Sequence, residues 1–274
     1  MHESLRVGPG FTLASVDPRM TVGTTLGKKS GIKALADAAA EFAELQEKLF
    51  AESHFGSARS VLLVLQAMDT AGKGGIVEHV LGEVNPQGVR AHSFKAPTDD
   101  EKAHDFLWRI RKELPLAGQL GVFDRSHYED VLIHRVRGLS TPEVIEERYG
   151  QITAFENEVV ASGTTIIKVM LHISRQEQKA RLAARLDDPN KQWKYSTGDV
   201  GERKLWDAYM AAYEIAMTRT STDAAPWYVV PADHKWYARL VVQQLLLDAL
   251  RGFGLRWPEP TYDVEAEKER VRLS

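Results

Sequence analysis

The stretch Ser60-Val-Leu-Leu-Val-Leu-Gln-Ala-Met-Asp-Thr-Ala-Gly-Lys-Gly-Gly75 decides how this chain is read. Its first part, Ser60 to Gln66, is a continuous run rich in branched apolar residues, as expected of a strand buried on both faces. A Gly-rich turn follows and leads into a helix predicted from about Gly72 to Leu81. Strand, glycine turn and helix N-terminus in that order make a phosphate cradle. The backbone N–H groups of Ala71, Gly72, Gly74 and Gly75 would face the anion, and Lys73 would neutralise it. The match to the pattern G-x-x-x-x-G-K-[ST] is incomplete. Ala67 replaces the first glycine, and Gly74 stands where a hydroxyl would hold magnesium. The bland alternative is an ordinary Gly-rich connection.

Outward from this unit the alternation continues. Before it, Ala36, Ala39, Phe42, Ala43, Leu45, Leu49 and Phe50 recur at helical spacing, which predicts a helix from Ile32 to about His54. After it, Gly88–Phe94 reads as a strand. Thr98, with Glu101 three residues on, is a capping box that opens a helix to Leu114. Gly121-Val-Phe-Asp124 ends a third strand, and Thr141 with Pro142 starts a helix over 142–161. Thr164–Leu171 is a fourth strand, Trp227–Val230 a short fifth, and Lys235–Leu250 a closing helix. Such alternation means α/β architecture, a parallel sheet covered on both faces. Residues 1–30 lack periodicity and read as an extended arm, with Lys28 and Lys29 near its end, on a single domain spanning 1–274.

Residues 174–204 interrupt the alternation. Ser174-Arg-Gln-Glu177 reads as another capping box, opening a helix on which Arg175, Gln178, Arg181 and Arg185 share one stripe. Leu182 and Leu186 lie beside it as anchors; Asp188-Pro189 stops the helix, and Lys191–Ser196 follows as a loop. Residues 175–194 carry six basic side chains, including Lys191 and Lys194, against three acidic ones. A solvated helix face explains such charge. So does a basic lid inserted after the fourth strand, closing arginines over phosphates.

Without a loop hydroxyl, a metal needs other ligands. Asp69 inside the loop and Asp124 at the end of an apolar run are the candidates, because magnesium prefers carboxylates plus phosphate oxygens. Both would converge at the carboxyl edge of the sheet, where open α/β folds bind ligands. The structural alternatives are an Asx-type turn for Asp69 and an Asp124–Arg125 pair. Arg125 can also stabilise charge on a phosphoryl group in flight. His127 and His134 read as structural, since that chemistry needs little proton transfer. Trp206, Tyr209, Met210, Tyr213 and Met217, at helical spacing, read as core rather than a base-stacking platform.

Composition narrows the function classes. The 274 residues are 43% hydrophobic and 27% charged, which excludes disorder, collagen and coiled coil for the whole. Absence of cysteine removes disulfides, thiolate metal sites and cysteine nucleophiles. A net charge of −3 argues against nucleic acid as a partner. No stretch is apolar enough for a signal peptide or a span, so we expect no membrane contact and a cytoplasmic protein.

The chain resembles the polyphosphate kinase 2 family. The resemblance is carried by Gln66 to Gly75, Asn85-Pro-Gln-Gly88, Ser93-Phe-Lys-Ala-Pro-Thr98, His104-Asp-Phe-Leu-Trp-Arg-Ile110, Phe123-Asp-Arg-Ser-His-Tyr-Glu-Asp130 and Trp193-Lys-Tyr-Ser196. It extends from near residue 20 to about residue 250. It implies a P-loop kinase fold, thymidylate-kinase-like, with five parallel strands and a helical lid. It further implies phosphoryl transfer between inorganic polyphosphate and AMP or ADP with Mg2+, or Mn2+ in its place, and a homo-oligomer, dimer or tetramer. Guanine nucleotides are the alternative acceptors. By motif, Asp69 and Asp124 would be metal-linked carboxylates, Lys73 the loop lysine and Arg125 the arginine after the second carboxylate. Arg175, Gln178, Arg181, Arg185, Lys191 and Lys194 would fall in the lid. Lys95 and Arg135 would be phosphate or nucleotide contacts, and Glu129 lies where the family separates acceptors of AMP and ADP from ADP-only members. An ATP-dependent nucleoside monophosphate kinase and a non-catalytic polyphosphate-binding protein are the competing readings.

Overall fold

Apolar runs without alternation need cover on both sides. In the computed structural model, which describes residues 3–274, they obtain it; the first two residues of the arm lie outside that range. The strands are β1 (Ser60–Ala67), β2 (Val89–Ser93), β3 (Leu120–Asp124), β4 (Thr164–His172) and β5 (Trp227–Pro231). They form one sheet in the order β2-β3-β1-β4-β5, with every pairing parallel. Every residue of β1 is buried, as its composition requires.

The first helices are α1 (Lys28–Asp37), α2 (Ala39–Ser53), α3 (Lys73–Val80), α4 (Asp99–Lys102), α5 (Trp108–Lys112) and α6 (Ile133–Arg137). They are followed by α7 (Pro142–Ala161), α8 (Arg175–Asp187), α9 (Gly198–Lys204), α10 (Trp206–Thr220), α11 (Lys235–Gly252) and α12 (Val264–Leu273). One layer is built on α11, which packs against α1, α2, α3 and the sheet; the other contains α7, with α6 and α10 against it. Among the described residues, no helix is long and apolar enough to cross a membrane.

The strand order positions the site. From β1, in mid-sheet, the chain runs to the edge at β2 and returns to β3 beside β1. It then crosses through α6 and α7 to β4 on the other flank. This reversal opens a crevice at the carboxyl ends of β1 and β3, where Leu65 stands opposite Asp124.

Local structure departs from expectation in several places. The predicted helix over 32–54 is two helices meeting at Ala38. Gln243 Nε2 takes the Leu35 carbonyl at 3.0 Å, a group that an unbroken helix would bond to Ala39 N–H. The predicted helix over 98–114 opens with the capping box at Thr98 but splits into α4 and α5. Asp105 Oδ1 accepts Leu107 N–H at 2.9 Å and restarts the chain, a side chain outcompeting the helix for a backbone group. At Ser174 the box is half-formed: Ser174 Oγ accepts Glu177 N–H, while the Glu177 carboxylate turns to Arg181. Leu182 is buried as an anchor, but Leu186 is exposed.

The segment before α1 is ordered against the domain. Leu5, Val7 and Leu13 are buried, and Val7 N–H donates to Trp227 O at 2.8 Å on the edge of the sheet. Lys28 and Lys29 open α1 rather than ending the arm. The aromatic series on α10 is core: Trp206, Tyr209, Tyr213 and Met217 are buried, and Met210 packs against them.

Candidate active site

The loop after β1 turns through two unusual backbone positions, Thr70 at φ 64° and Gly72 at φ 121°. The second strongly favours glycine, because a Cβ there would strain the chain. Lys73 starts α3 and is folded back over the loop. Its Nζ lies 3.4 Å from Ala67 O and 3.8 Å from Asp124 Oδ1. At Gly74 a Cβ would meet nothing within 4 Å. The loop therefore lacks its metal-binding hydroxyl by choice of residue, not for want of space.

Arg125 follows Asp124 in the left-handed region, at φ 64°. Such a conformation costs an L-residue about 1–2 kcal/mol and needs a surrounding that fixes it. Arg125 N–H is held by Leu65 O at 3.0 Å, and its guanidinium reaches across to Asp69 Oδ1 at 3.1 Å. The two carboxylates are thus each faced by one cation, Asp69 by Arg125 and Asp124 by Lys73. Burial works against the charge of Arg125, but Glu129, Asp69 and Asp124 outweigh it and hold its pKa above the ordinary arginine value. It stays charged.

A cavity of about 720 Å³ opens over these groups. Asp69, Ala71, Gly72, Lys73, Gly74, Gly75, Lys95, Asp124, Arg125, Arg181, Arg185, Lys191 and Lys194 line it, so most predicted site residues meet there. Four do not. Gln178 is buried beneath, its amide donating to Asp69 O at 3.1 Å and accepting from Arg203 at 2.6 Å. Arg175 points to Arg203 O and borders a second cleft of about 520 Å³ with Trp206 and Met210. Arg135 sits on α6, half-buried, near Tyr149. Glu129 lies behind Arg125. Burial raises its pKa above the usual carboxylate range, with Arg125 and Lys73 opposing. In the amide orientation that satisfies its neighbours, buried Gln66 donates to Glu129 Oε1 at 3.0 Å and accepts from Ser126.

Arg181 lines the cavity but differs in role from a phosphate-facing arginine. All five of its N–H groups are engaged, by Glu177 and by the carbonyls of Thr70, Ala71, Ala232 and Asp233. It braces the loop. The freer cations are exposed Lys95 and Lys194, the latter beside exposed Trp193; Arg185 donates to Lys194 O, and Lys191 is paired with Asp188. His127 and His134 are structural, held by Glu156 and by Asp130 with Ser140.

Two site residues escaped the sequence reading. Lys235 and Arg239 line the cavity from the first turns of α11. A signal existed: two cations four apart at a helix N-terminus, where the dipole disfavours positive charge. Burial lowers the pKa of both; Arg181 and Arg239 add to this at Lys235, and Arg181 at Arg239 despite Glu78. Crowded cations of this kind call for an anion. Replacing both by Ala is expected to raise KM for a phosphate-rich substrate about tenfold or more, with a smaller effect on kcat. Steady-state kinetics at two salt concentrations check this, since the effect shrinks as salt rises.

The arrangement can hold a hard divalent cation. Among the described residues no cluster of three or more His, Asp or Glu forms a ready metal cage. Magnesium seldom uses one. One or two carboxylates completed by substrate phosphate oxygens suit it, and Asp69 and Asp124, which line the cavity, could supply them.

Comparison with known proteins finds similarity to polyphosphate kinases over nearly the whole chain. The model of the polyphosphate kinase 2 family matches residues 25–254. The AMP/ADP-polyphosphate phosphotransferase of Meiothermus ruber is 46% identical over 250 residues, spanning 91% of this chain and 92% of its own. The ADP-polyphosphate phosphotransferase of Rhodopseudomonas palustris is 43% identical over 234 residues, or 80% of this chain and 78% of its own. The crystal structure of polyphosphate kinase 2 from Arthrobacter aurescens TC1 superimposes with a TM-score of 0.97 at 61% identity, covering 99% of this chain and 96% of that one.

Proposed function

The chain belongs to the polyphosphate kinase 2 family, and from that premise we propose that it transfers a phosphoryl group between inorganic polyphosphate and AMP or ADP, with Mg2+ as its metal. The observation that carries this reading is the meeting of Asp69, Lys73, Asp124 and Arg125 under one cation-lined cavity.

In the transfer, a phosphate oxygen of the nucleotide attacks the terminal phosphorus of polyphosphate, and the bridging P–O bond to the shortened chain breaks. The bond broken and the bond formed are both phosphoanhydrides, with AMP or ADP as the acceptor, so the transfer can run in either direction. Little proton chemistry is needed, and positioning with electrostatics supplies the rate. Lys73 and the loop N–H groups hold phosphate oxygens, and Arg125 offsets charge growing on the group in transfer. Asp69 and Asp124 would hold the magnesium, which when bound neutralises phosphate charge. Lys95, Lys235 and Arg239 draw in the polyanion. Residues 174–204 act as the lid: α8 is tied to the loop through Gln178 and Arg181, and Arg185, Lys191 and Lys194 line the cavity, where phosphates meet them. A homo-oligomeric state belongs to the same reading.

The test supplies AMP and magnesium with polyphosphate and no ATP. ADP, then ATP, should accumulate. No product from either AMP or ADP would defeat the proposal, and product formed only when ATP is the donor would replace it with an ordinary nucleoside monophosphate kinase.

A further inference from the structure

Strand β4, between β1 and β5, carries one residue that its surroundings do not call for. Lys168 lies among Ile166, Ile167, Val169, Met170 and Leu171, and it is wholly buried. Its three N–H groups are used: by the Glu156 carboxylate from α7, by Tyr128 OH at 3.0 Å, and by Thr220 O at 2.8 Å. Glu156 is equally buried. It also accepts from Tyr128 OH at 2.8 Å and lies 3.3 Å from His127 Nε2. Tyr128 OH is 2.9 Å from Thr220 Oγ1, which in turn accepts from Trp227 Nε1. None of these residues lines the cavity.

Stability does not by itself call for a charged pair here. Removing two charges from water costs so much that well-packed apolar replacements of a buried pair are often neutral or stabilising. What the pair does hold is the turn after β3. Two of its contacts are His127 and Tyr128, the second and third residues after Asp124-Arg125, and the next residue is Glu129. Arg125 sits in the left-handed region there, a conformation that persists only where neighbours over-determine it. From the other side Gln66 takes Ser126 and Glu129. The turn is gripped from both flanks.

We propose that Lys168 and Glu156 are positioning residues: through Tyr128 and His127 they hold the 125–129 turn so that Arg125 reaches Asp69 and the cavity. The inference rests on the reaction proposed above for its kinetic readout, but not for its structural one.

The experiment compares wild type with the double variant Lys168→Met/Glu156→Leu and with Tyr128→Phe, which keeps the ring against Trp227 and loses only the hydroxyl. The double variant should stay folded but melt below the wild type, because Thr220 O and His127 Nε2 lose their partners. Its kcat should fall about 10- to 100-fold, the cost of misplacing a catalytic group by up to an ångström, with both KM values within about threefold of wild type. Tyr128→Phe should lose kcat in the same direction. It decides the matter alone if the double variant does not fold. Combining all three changes should add little, because they act on one turn. In the double variant's crystal structure, the Arg125–Asp69 contact should be lost. Wild-type kcat in a folded variant, or an unchanged Arg125–Asp69 contact, overturns the inference. An inactive wild type would instead sink the proposed reaction, and the crystal structure would still judge the positioning role.

Discussion

Arg125→Ala is expected to keep its fold and lose about 1,000-fold or more in turnover, the range measured for arginines that meet a transferring phosphoryl group. The guanidinium is placed for this by a strained backbone, by Leu65 O and by Asp69 at 3.1 Å, and its neighbours keep it charged. The pair with Asp69 is partly exposed, so its removal should cost no more than about 1 kcal/mol of stability. Turnover and thermal unfolding therefore separate. Arg125→Lys should recover only a small part, because an ammonium lacks the planar fork that spans two oxygens. Arg125→Gly removes the same side chain together with the Cβ that makes φ 64° costly. It should be as inactive as the Ala protein and melt no lower. An Ala protein that retains a tenth of wild-type turnover would remove Arg125 from the chemistry.

Asp124→Asn is the second large effect, expected at about 100–1,000-fold in turnover. Asn has nearly the shape of Asp and still accepts hydrogen bonds, so the end of β3 should be undisturbed. What disappears is charge: one of the two carboxylates offered to magnesium, and the group 3.8 Å from Lys73 Nζ. Asp69 cannot substitute, since it already shares its charge with Arg125. A readout independent of turnover is available. With ADP present, magnesium should raise the melting temperature of the wild type, as a ligand bound only by the native state does, and raise that of Asp124→Asn much less. Near-normal activity in this variant would end the two-carboxylate description of the site.

Much of this site was legible in one dimension. The Asp69, Lys73, Asp124 and Arg125 set stood out because each residue abuts a strand end or a helix start, features that period and composition reveal. Partners were less legible. Asp124 beside Arg125 in sequence suggested a pair, yet Arg125 turns to Asp69, 56 positions away. Arg181 reads as one of three arginines on a helix stripe, and only its neighbours make it a brace with no free donor. Gln66 and Lys168 are harder still. Each interrupts an apolar run, and a single polar residue in such a run says nothing of what it will meet. Lys235 and Arg239 are masked in the sequence because α11 is otherwise so plainly a core helix.

The division has a physical cause. Backbone preference, side-chain period and capping act over a few residues, so the strands, the phosphate loop and the parallel α/β class were written locally. The breaks inside the helices over 32–54 and 98–114 were not, because side-chain hydrogen bonds such as those from Gln243 and to Asp105 decided them. The order β2-β3-β1-β4-β5 depends on how layers pack, and it alone brings the end of β3 beside the loop after β1. Sequence by itself determined which groups were available for phosphoryl chemistry. Tertiary structure decided which cation faces which carboxylate, because those pairings cross between elements that meet only when the sheet assembles.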